Sequence, residues 1–543
     1  MLIRNKSVAS LTERTTQMPY RPPAIDDFGH AKWLRRDFGL GGEFREFIEA
    51  MAERVRLRAG RTDRSDVKKN LGVALNAIIG NLYRSHITDE NRYIIIDRSN
   101  DGYPKSLYNP LGINRRAVQD CINYLIGDEN RYVEQRGGNY DPLVGRGYTA
   151  RFRATERLIS EVEEYLLPEE LQEDLDPTGL IRNTLRDNPQ SPLISYLFRQ
   201  EPLPLIRLRG EREAQGGPAP LLSFEPTQDT MRMDANLAAY NGFLFDHHWI
   251  DLLIPDQEFH TLSRRIDHQA DEFGDEDDRR FDLDIISRNS LYRVFNNGRF
   301  TDGGRFYGGW WQGVPSDLRR HLTINGFPTA ELDYSNMQIV MLYADEGLTL
   351  EGDAYEIEGI PLTHRKLIKR TVFKIVNASG QIRAAKKTEL PEGWAWREIM
   401  DAVREKHRPI AKYFGTGEGI RLQKRDADIA ETVMLRMKDE GTLVLPIHDS
   451  FVVEEGKQGL LREVMIEAYR EHLGFEINVD ANPTWMEQLP AEAIELDQLG
   501  VRDLTDWIAE QEQRPEYDNY RRRKAAFLNA KGEPWGHEHH FLY

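Results

Sequence analysis

The sequence contains a single cysteine, Cys121, among 543 residues. One thiol cannot form an internal disulfide or supply the paired cysteines of a zinc finger. Because Cys121 lies on the apolar face of a predicted helix, we expect it to be a buried thiol. The chain also lacks any run of eighteen apolar residues, and its first residues lack the apolar segment of a secretory signal. We therefore expect a cytoplasmic protein that does not enter a membrane.

Positive charge is also scarce, because 72 Lys and Arg residues face 89 Asp and Glu residues, which gives a net charge of −17. This excess of negative charge argues against a protein surface that is basic throughout, as a nonspecific nucleic-acid-binding protein would have. The charge is unevenly distributed, however: residues 1–150 carry +5 and the remainder carries −22. Local basic clefts can therefore still meet phosphates. The hydrophobic content of 40% is sufficient for two to four domains.

Two aspartates stand at the ends of apolar segments that predict buried strands. Asp333 follows residues 330–332, and Asp449 follows residues 443–448. Carboxylates on adjacent rigid strands can bridge two Mg²⁺ ions about 4 Å apart, as two-metal phosphoryl transfer requires. One ion then activates the attacking hydroxyl and the other stabilises the leaving pyrophosphate. The pair indicates Mg²⁺-dependent chemistry, with Mn²⁺ as a substitute ion.

A predicted helix between the two aspartates carries four notable residues at intervals of four. Residues at this spacing are neighbours on a helix, so they form one slowly turning stripe: Arg365, Lys369, Phe373 and Asn377. Two cations followed by an aromatic ring suit a triphosphate followed by a base. The same stripe could be a solvated basic face with Phe373 in the core. The flanking aspartates favour nucleotide binding.

These motifs resemble those of the family A DNA polymerases and the single-subunit phage-type RNA polymerases. Asp333–Gln338 resembles the first palm motif, the Arg365 stripe resembles the fingers-helix motif, and Ile447–Phe451 resembles the third motif. Two weaker matches lie at residues 304–315 and 422–429. All five stand in the family's order, over about residues 295–490.

The resemblance implies roles for the individual residues. Asp333 and Asp449 would be catalytic and would bind the metal ions together with Tyr334. Gln338 would act as the steric gate below the sugar of the incoming nucleotide. Contacts to template and primer would come from four residues: Arg305, Gln312, Gln423 and His448. Gln423 could donate to minor-groove acceptors or be a helix-surface residue, and His448 could orient the primer terminus or be a core histidine.

Two departures from the family concern the choice of sugar. Gln338 stands where the DNA polymerases have Glu and the phage RNA polymerases have Gly, and its bulk favours deoxynucleotides. Asn377 stands where both groups have Tyr, so the aromatic partner of the gate is missing. Residues 369–372, Lys-Arg-Thr-Val, resemble the phage RNA polymerases instead. The interval of 116 residues between the aspartates is short for the family and predicts reduced fingers.

The N-terminal third predicts a winged helix. Helical spacing over residues 71–82, a short strand at 93–96, a helix capped by Asn114 and a hairpin over 132–153 follow in the order of that fold. A winged helix would place two arginines in a major groove and others on the DNA backbone: Arg115 and Arg116, then Arg136 or Arg146. Winged helices also serve as protein-docking modules or inert scaffolds.

The expected fold class is α+β: a right-hand polymerase with an antiparallel-sheet palm and reduced helical fingers, preceded by a winged-helix-like domain. The expected segments are 1–65, an N-terminal segment; 66–160, the winged-helix-like domain; 161–290, a helical thumb-like region; 291–490, palm and fingers; and 491–543, a C-terminal tail.

The expected function is that of a template-directed nucleotidyltransferase, a primer-extending DNA polymerase of a phage, prophage or plasmid. It would bind a template–primer duplex and dNTPs. Because little protein would wrap the duplex, a replication-protein partner is also expected. One alternative is an RNA polymerase or primase that uses NTPs. The other is a DNA-binding replication initiator or regulator with a vestigial palm.

Overall fold

The computed structural model describes residues 31–98, 102–137, 140–141, 146–147, 150–165, 179, 181–182, 192–211, 219–264, 290–380, 390–482 and 512–531. These residues form two compact units. The first unit comprises the described residues up to 104, those of 111–165, and 197–200. The second comprises residues 105–110 and the remaining described residues. The mixture of helices and antiparallel sheet confirms the predicted α+β class.

The first unit combines four helices with short strands. The helices are α1 (Arg45–Arg58), α2 (Ser65–Thr88), α3 (Arg115–Leu125) and α4 (Glu156–Glu163). The strands are β1 (Lys32–Trp33), β2 (Phe38–Leu40), β3 (Ile94–Ile95), β4 (Val133–Arg136), β5 (Tyr140–Asp141), β6 (Arg146–Gly147), β7 (Arg151–Ala154) and β8 (Phe198–Gln200). One sheet has the order β1-β3-β7-β4, and β2 pairs with β8 and β5 with β6. Helix α5 (Pro192–Leu197) precedes β8 in the chain.

Helix α3 shows how local sequence determines this unit. The Asn114 side chain accepts a hydrogen bond from the main-chain N of Ala117 at 3.0 Å and so caps the helix. The apolar stripe behind the cap, which includes Cys121 and Leu125, is fully buried. The predicted buried thiol is therefore confirmed, and burial raises the pKa of Cys121. Helix α1 belongs to the same unit, so the unit extends upstream of residue 66.

The second unit holds the remaining helices and strands. The helices are α6 (Gln228–His247), α7 (Asp256–Arg264), α8 (Met337–Asp345), α9 (Arg365–Asn377), α10 (Trp396–Lys406), α11 (Gly419–Asp439), α12 (Gln458–Leu473) and α13 (Asp518–Lys531). The strands are β9 (Ile206–Arg209), β10 (Leu221–Leu222), β11 (Ile250–Leu252), β12 (Tyr292–Phe295), β13 (Gly303–Tyr307), β14 (Leu322–Ile324), β15 (Phe327–Tyr334), β16 (Val444–Ile447), β17 (Ser450–Glu454) and β18 (Val479–Ala481). No helix within the described ranges has the length and apolar character needed to cross a membrane.

The expected thumb-like region contains strands as well as helices. Strands β9 to β11 accompany α6 and α7, and β9 joins a second sheet of order β10-β9-β12-β13. In β9 the alternate residues Ile206 and Leu208 are buried, a period of two that a strand satisfies and a helix does not. The expectation of a helical region over residues 161–290 is thus only partly met among its described residues.

A six-stranded antiparallel sheet forms the centre of the second unit. Its order is β11-β14-β15-β17-β16, and β18 pairs with the far end of β15. Along β15 the side chains of Leu332 and Tyr334 are buried, whereas Glu331 and Asp333 lie on the opposite, more open face. This alternation directs Asp333 away from the core.

The described part of the predicted C-terminal tail includes helix α13, which packs on this sheet. Arg523 makes a two-bond ion pair with Asp251 of β11, at 2.6 and 2.8 Å, and both side chains are buried. Tyr520 is buried beside Thr323 of β14. Residues 491–511 and 532–543 lie outside the described residues.

The buried residue Arg293 connects α11 to β12 and β13 through hydrogen bonds and ion pairs. Arg293 has no solvent-exposed side-chain surface, and it donates to the carbonyl of Gly304 at 2.8 Å. Its other nitrogens donate to Glu431 at 2.7 Å and to Asp428 at 3.0 Å, both on α11. Because every charge in this cluster is paired, the arginine can be buried at a tolerable cost in solvation.

We expect Arg293→Ala to destabilise the second unit by about 3–5 kcal/mol, because it leaves Glu431, whose side chain is only 12% exposed, without its cation. Chemical unfolding monitored by circular dichroism would measure the loss. The control is Arg397→Ala, since Arg397 is 93% exposed and its partner Asp401 lies 4.0 Å away. That variant should lose less than about 1 kcal/mol. Equal losses in the two variants would contradict a structural role for Arg293.

Candidate active site

The two predicted catalytic aspartates meet at one end of the central sheet. Asp333 is the penultimate residue of β15, and Asp449 lies in the two-residue turn between β16 and β17. Antiparallel pairing places Asp333 opposite Ser450, and the main-chain N of Tyr334 donates to the carbonyl of Asp449 at 3.3 Å. The strand register, rather than a flexible loop, therefore sets the position of both aspartates.

The electrostatics show that the two carboxyl groups interact. Burial, followed by the negative charge of Asp449, raises the pKa of Asp333 to about 8. The positive charge of Lys369 opposes this shift, so this cation also lies within reach. The Oδ1 atom of Asp333 is buried and has no hydrogen-bond partner among the described residues. A buried carboxylate oxygen without a donor is suited to a cation.

Left-handed backbone conformations occur beside both aspartates. His448 has a φ of 58° immediately before Asp449, and Asn336 has a φ of 56° three residues after Asp333. Asparagine tolerates this region, whereas histidine adopts it at a cost of about 1 kcal/mol. Such conformations persist where the surrounding structure enforces them, as they do at many functional turns.

The cationic stripe on α9 is held by two residues that the motifs do not include. Arg365 makes a two-bond ion pair with Asp353, at 2.6 and 3.1 Å. The Tyr355 ring lies 5.0 Å from the Arg365 guanidinium and 5.9 Å from the Lys369 ammonium. Burial raises the pKa of Tyr355 to about 12, and the charges of Asp449 and Asp333 contribute to the rise. Tyr355 thus lies close to the stripe and within electrostatic reach of both aspartates.

The last residue of the stripe is joined to the predicted sugar gate. Asn377 donates from Nδ2 to Oε1 of Gln338 at 3.2 Å and to the carbonyl of Phe373 at 2.9 Å. This hydrogen bond links the first turn of α8 to the end of α9. The predicted gate residue and α9 are therefore in direct contact, although Asn377 stands where the resembled polymerases have an aromatic residue.

Two predicted template contacts have structural partners within the protein. Arg305 on β13 is bound through Nε and Nη2 to Asp426 of α11, at 3.0 and 2.5 Å. Gln312 donates to the carbonyls of Phe306 and Pro446, at 3.0 and 3.2 Å. Both side chains are therefore held in place by contacts within the protein. Gln423 lies half-buried on α11.

Asp426 is a third carboxylate close to the pair. It is almost completely buried, and burial raises its pKa to about 6. The positive charge of Arg305 opposes this shift, while the negative charge of Asp449 adds to it. The Arg305–Asp426 pair therefore lies near the turn that carries Asp449.

The residues present suit Mg²⁺ ions held partly by a substrate. No cluster of three or more His, Cys, Asp or Glu side chains among the described residues is arranged to bind an ion. Mg²⁺ commonly takes one or two carboxylates and completes its shell with phosphate oxygens and water, which Asp333 and Asp449 would allow. The Tyr334 hydroxyl donates to the carbonyl of Met465 at 2.7 Å and is buried. A contribution of Tyr334 to metal binding would thus come from its main-chain carbonyl.

The predicted DNA-binding arginines belong to the first unit, whereas the residues described above belong to the second. Arg115 donates to the carbonyl of Arg98 at 2.8 Å, and Arg136 pairs with Glu134 at 2.8 Å. Arg116 is exposed on the first turn of α3. Arg146 lies on β6, and its side chain is outside the described part of the structure.

The motifs do not include Asp353, Tyr355 and Asp480, and the weak match over residues 422–429 contains Asp426 without assigning it a role. Asp480 of β18 pairs with Asp333 across the sheet, and its charge contributes to the raised pKa of Asp333. The sequence offers one indication of Asp353 and Tyr355, because they form an Asp-x-Tyr segment shortly before α9. No local pattern identifies Asp480, because only strand pairing brings it to the site.

Comparisons with known proteins find partial similarity among solved structures. No protein-family model and no curated protein match the chain. Among solved structures, a similar chain is the POL domain of Pol1 from M. smegmatis, in complex with DNA primer-template and dNTP. The match has a TM-score of 0.26 and 15% sequence identity, and it covers 37% of this chain and 49% of the other. The chain thus spans about half the length of that domain, and the geometry of the site carries the functional conclusion.

The raised pKa of Asp333 predicts a specific dependence of stability on pH. Because the folded state binds this proton more tightly than the unfolded chain does, metal-free protein should lose stability as pH rises from about 4 towards 8. Asp333→Asn removes this contribution, so the variant should gain stability relative to wild type between pH 5 and pH 8. Chemical unfolding in the presence of a chelator would measure the difference. Identical pH dependence in the two proteins would contradict the shift.

Two substitutions at His448 separate its backbone from its side chain. His448→Ala should be less stable than His448→Gly by about 1 kcal/mol, because only glycine adopts a positive φ without strain. If the imidazole orients a primer terminus, both variants should lose primer-extension activity. Full activity in His448→Gly would show that the residue contributes only its backbone conformation.

Proposed function

We propose that the protein is a template-directed nucleotidyltransferase that uses two-metal-ion phosphoryl transfer. The observation that carries the proposal is the proximity of Asp333 and Asp449 to the cationic stripe, evident in the effect of Asp449 and Lys369 on the pKa of Asp333. When bound, two Mg²⁺ ions would activate the primer hydroxyl and stabilise the leaving pyrophosphate. Asp333 and Asp449, with the main-chain carbonyl of Tyr334, would hold them.

In this proposal, side chains of helix α9 bind the triphosphate. Lys369 is exposed and has no ion pair within the described structure, so its ammonium can bind a phosphate directly. Asp353 already orients Arg365 by accepting hydrogen bonds from its Nε and Nη2 atoms. The Nη1 atom takes no part in that ion pair. Phe373 lies one turn further along the helix, where a base would stack.

Within this class we favour a primer-extending DNA polymerase that uses dNTPs. Gln338 supports this choice because its bulky side chain is held by Asn377 at the position of the family's steric gate. The short interval between the aspartates suits a compact polymerase of a phage, prophage or plasmid, assisted by a replication-protein partner. An RNA polymerase or primase that uses NTPs is the second candidate, favoured by the amide at Asn377 and the phage-type residues 369–372.

A DNA-binding initiator or regulator with a vestigial palm is a weaker alternative. A relic would have no reason to retain an interacting aspartate pair beside a phosphate-binding stripe. Cross-strand carboxylates repel each other and lower stability unless a ligand uses them. The retained charges therefore favour an active enzyme.

The first unit would deliver the enzyme to DNA. Its α3 begins with Arg115 and Arg116, and Arg116 projects an exposed guanidinium from the first turn. A recognition helix contacts DNA through such N-terminal residues. Arg136 is partly neutralised by Glu134, so we assign it a smaller contribution to phosphate binding.

Catalysis is tested by primer extension with dNTPs and NTPs supplied separately. Asp449→Asn should abolish incorporation, and Lys369→Ala should lower kcat/KM by about 10² or more, because each removes a charge needed in the transition state. Arg370→Ala is the matched control, since Arg370 is exposed on α9 about 100° around the helix from Lys369. Incorporation by Asp449→Asn within about tenfold of wild type would overturn the two-metal assignment.

Binding to duplex DNA is tested in the full chain by a salt series. Arg116→Ala should lower duplex affinity and reduce the slope of log K against log salt concentration by about 1, as expected for the loss of one phosphate contact. The control is Arg64→Ala, which removes an exposed arginine already paired with Asp66. An unchanged slope for Arg116→Ala would indicate that this surface docks protein instead.

A further inference from the structure

The side chain of Gln338 has a buried donor with no partner within the described residues. Its Nε2 atom is inaccessible to solvent and makes no hydrogen bond there. The Oδ1 atom of Asp333 and the Oγ atom of Ser335 share these two properties. A buried polar group without a partner costs about 1–3 kcal/mol, so three such atoms within six residues indicate a binding site.

The hydrogen bonds around Asn377 determine which end of the Gln338 amide is free. The carbonyl of Phe373 can only accept, so the Asn377 atom that contacts it must be the NH₂ group. That same nitrogen contacts Gln338, which must therefore present its oxygen to Asn377. The orientation of both amides follows from one main-chain carbonyl. Gln338 consequently presents Nε2, a donor, to the remaining side.

This donor lies between the elements that carry the proposed chemistry. Gln338 follows Asp333 by five residues, at the start of α8. Its anchor, Asn377, is the last residue of α9, which carries Arg365 and Lys369. A nucleotide bound by the metal site and the cationic stripe would place its sugar beside the junction of these two helices. Sugar hydroxyls are the acceptors available at that position.

We propose that Gln338 Nε2 donates a hydrogen bond to the 3′-hydroxyl oxygen of the incoming nucleotide. The proposal rests on the nucleotidyltransferase function proposed above. It assigns Gln338 a positive role in recognition in addition to its bulk, with Asn377 as the positioning residue that keeps the donor oriented. The 3′-hydroxyl is the acceptor we assign because dNTPs and NTPs both have it, so the contact is independent of the preference for the 2′ position.

Two substitutions in the full chain remove the donor in different ways. Gln338→Glu keeps an oxygen for Asn377 but adds charge, and Gln338→Met keeps the approximate size without charge. The measurement is kcat/KM for single-nucleotide incorporation of a dNTP and of the matching ddNTP, which lacks the 3′-hydroxyl. Both variants should lose about 3- to 10-fold with the dNTP and change little with the ddNTP. The ratio of kcat/KM for the dNTP to kcat/KM for the ddNTP should therefore fall in both variants.

Asn377→Ala provides a second measurement, because it frees the Gln338 amide without removing the donor. We expect the dNTP-to-ddNTP ratio of kcat/KM to fall less in this variant than in the two Gln338 variants. The control is Gln257→Met, since Gln257 is exposed on α7, and its ratio should equal that of wild type. Circular dichroism of each variant would establish that the fold is retained.

An unchanged ratio of dNTP to ddNTP kcat/KM in both Gln338 variants would overturn the proposal. A fall in kcat/KM confined to NTPs would also overturn it, because the contact would then be to the 2′-hydroxyl. If the wild type incorporates no nucleotide, the proposed function fails, and equilibrium binding of dNTP and ddNTP to the full chain then tests the contact alone. Tighter wild-type binding of the dNTP that both Gln338 variants abolish would support it. Equal binding of the two nucleotides by wild type would overturn it.

Discussion

The antiparallel register between β15 and β17 is the constraint on which the candidate site depends. Asp333 pairs with Ser450, so the chain reaches the His448–Asp449 turn beside the end of β15. Side chains alternate between faces along a strand, and a slip of one residue would turn Asp333 into the core and Leu332 out of it. The burial of Leu332 and Tyr334 therefore stabilises this register and, with it, the geometry of the candidate site.

This geometry places like charges close together, and the surrounding fold compensates. Asp333 faces the charges of Asp449 and Asp480, which burial makes more costly. Nearby, two arginines pair with the other carboxylates: Arg305 binds Asp426, and the buried Arg293 binds Glu431 and Asp428. These pairs attach α11 to β12 and β13, so the helix beneath the turn is fixed by charge as well as by packing. Asp333 and Asp449 have no ion pair among the described residues, and in the proposed function Mg²⁺ would neutralise them.

The cationic stripe is preorganised for anions in a similar way. Asp353 fixes the guanidinium plane of Arg365, and the face of Tyr355 lies against both cations. An arginine whose rotamer is already set loses less conformational entropy when it binds a phosphate. At the far end of the stripe, Asn377 and Gln338 form an oriented amide pair. In the proposed function, this pair would let recognition of the sugar combine shape with a directed donor.

Local spacing in the sequence determined the elements and their chemistry. The period of four along residues 365–377 predicts the stripe on α9, and Asn114 predicts the start of α3, because both features depend on residues within one or two helical turns. The apolar segments before Asp333 and Asp449 likewise predict β15 and β16. These features could be predicted because neighbours in the chain are neighbours in space.

Only the tertiary structure decided which distant residues share the site. Asp480 reaches Asp333 through strand pairing, and Asp426 reaches Arg305 across 121 residues. The sequence predicts template contacts for Arg305 and Gln312, yet their partners are set by the packing of α11 against β13 and of β16 against residues 310–313. No local pattern encodes such pairings, because they follow from the register of strands and the burial of whole faces. The residue types come from the sequence, and their partners come from the fold.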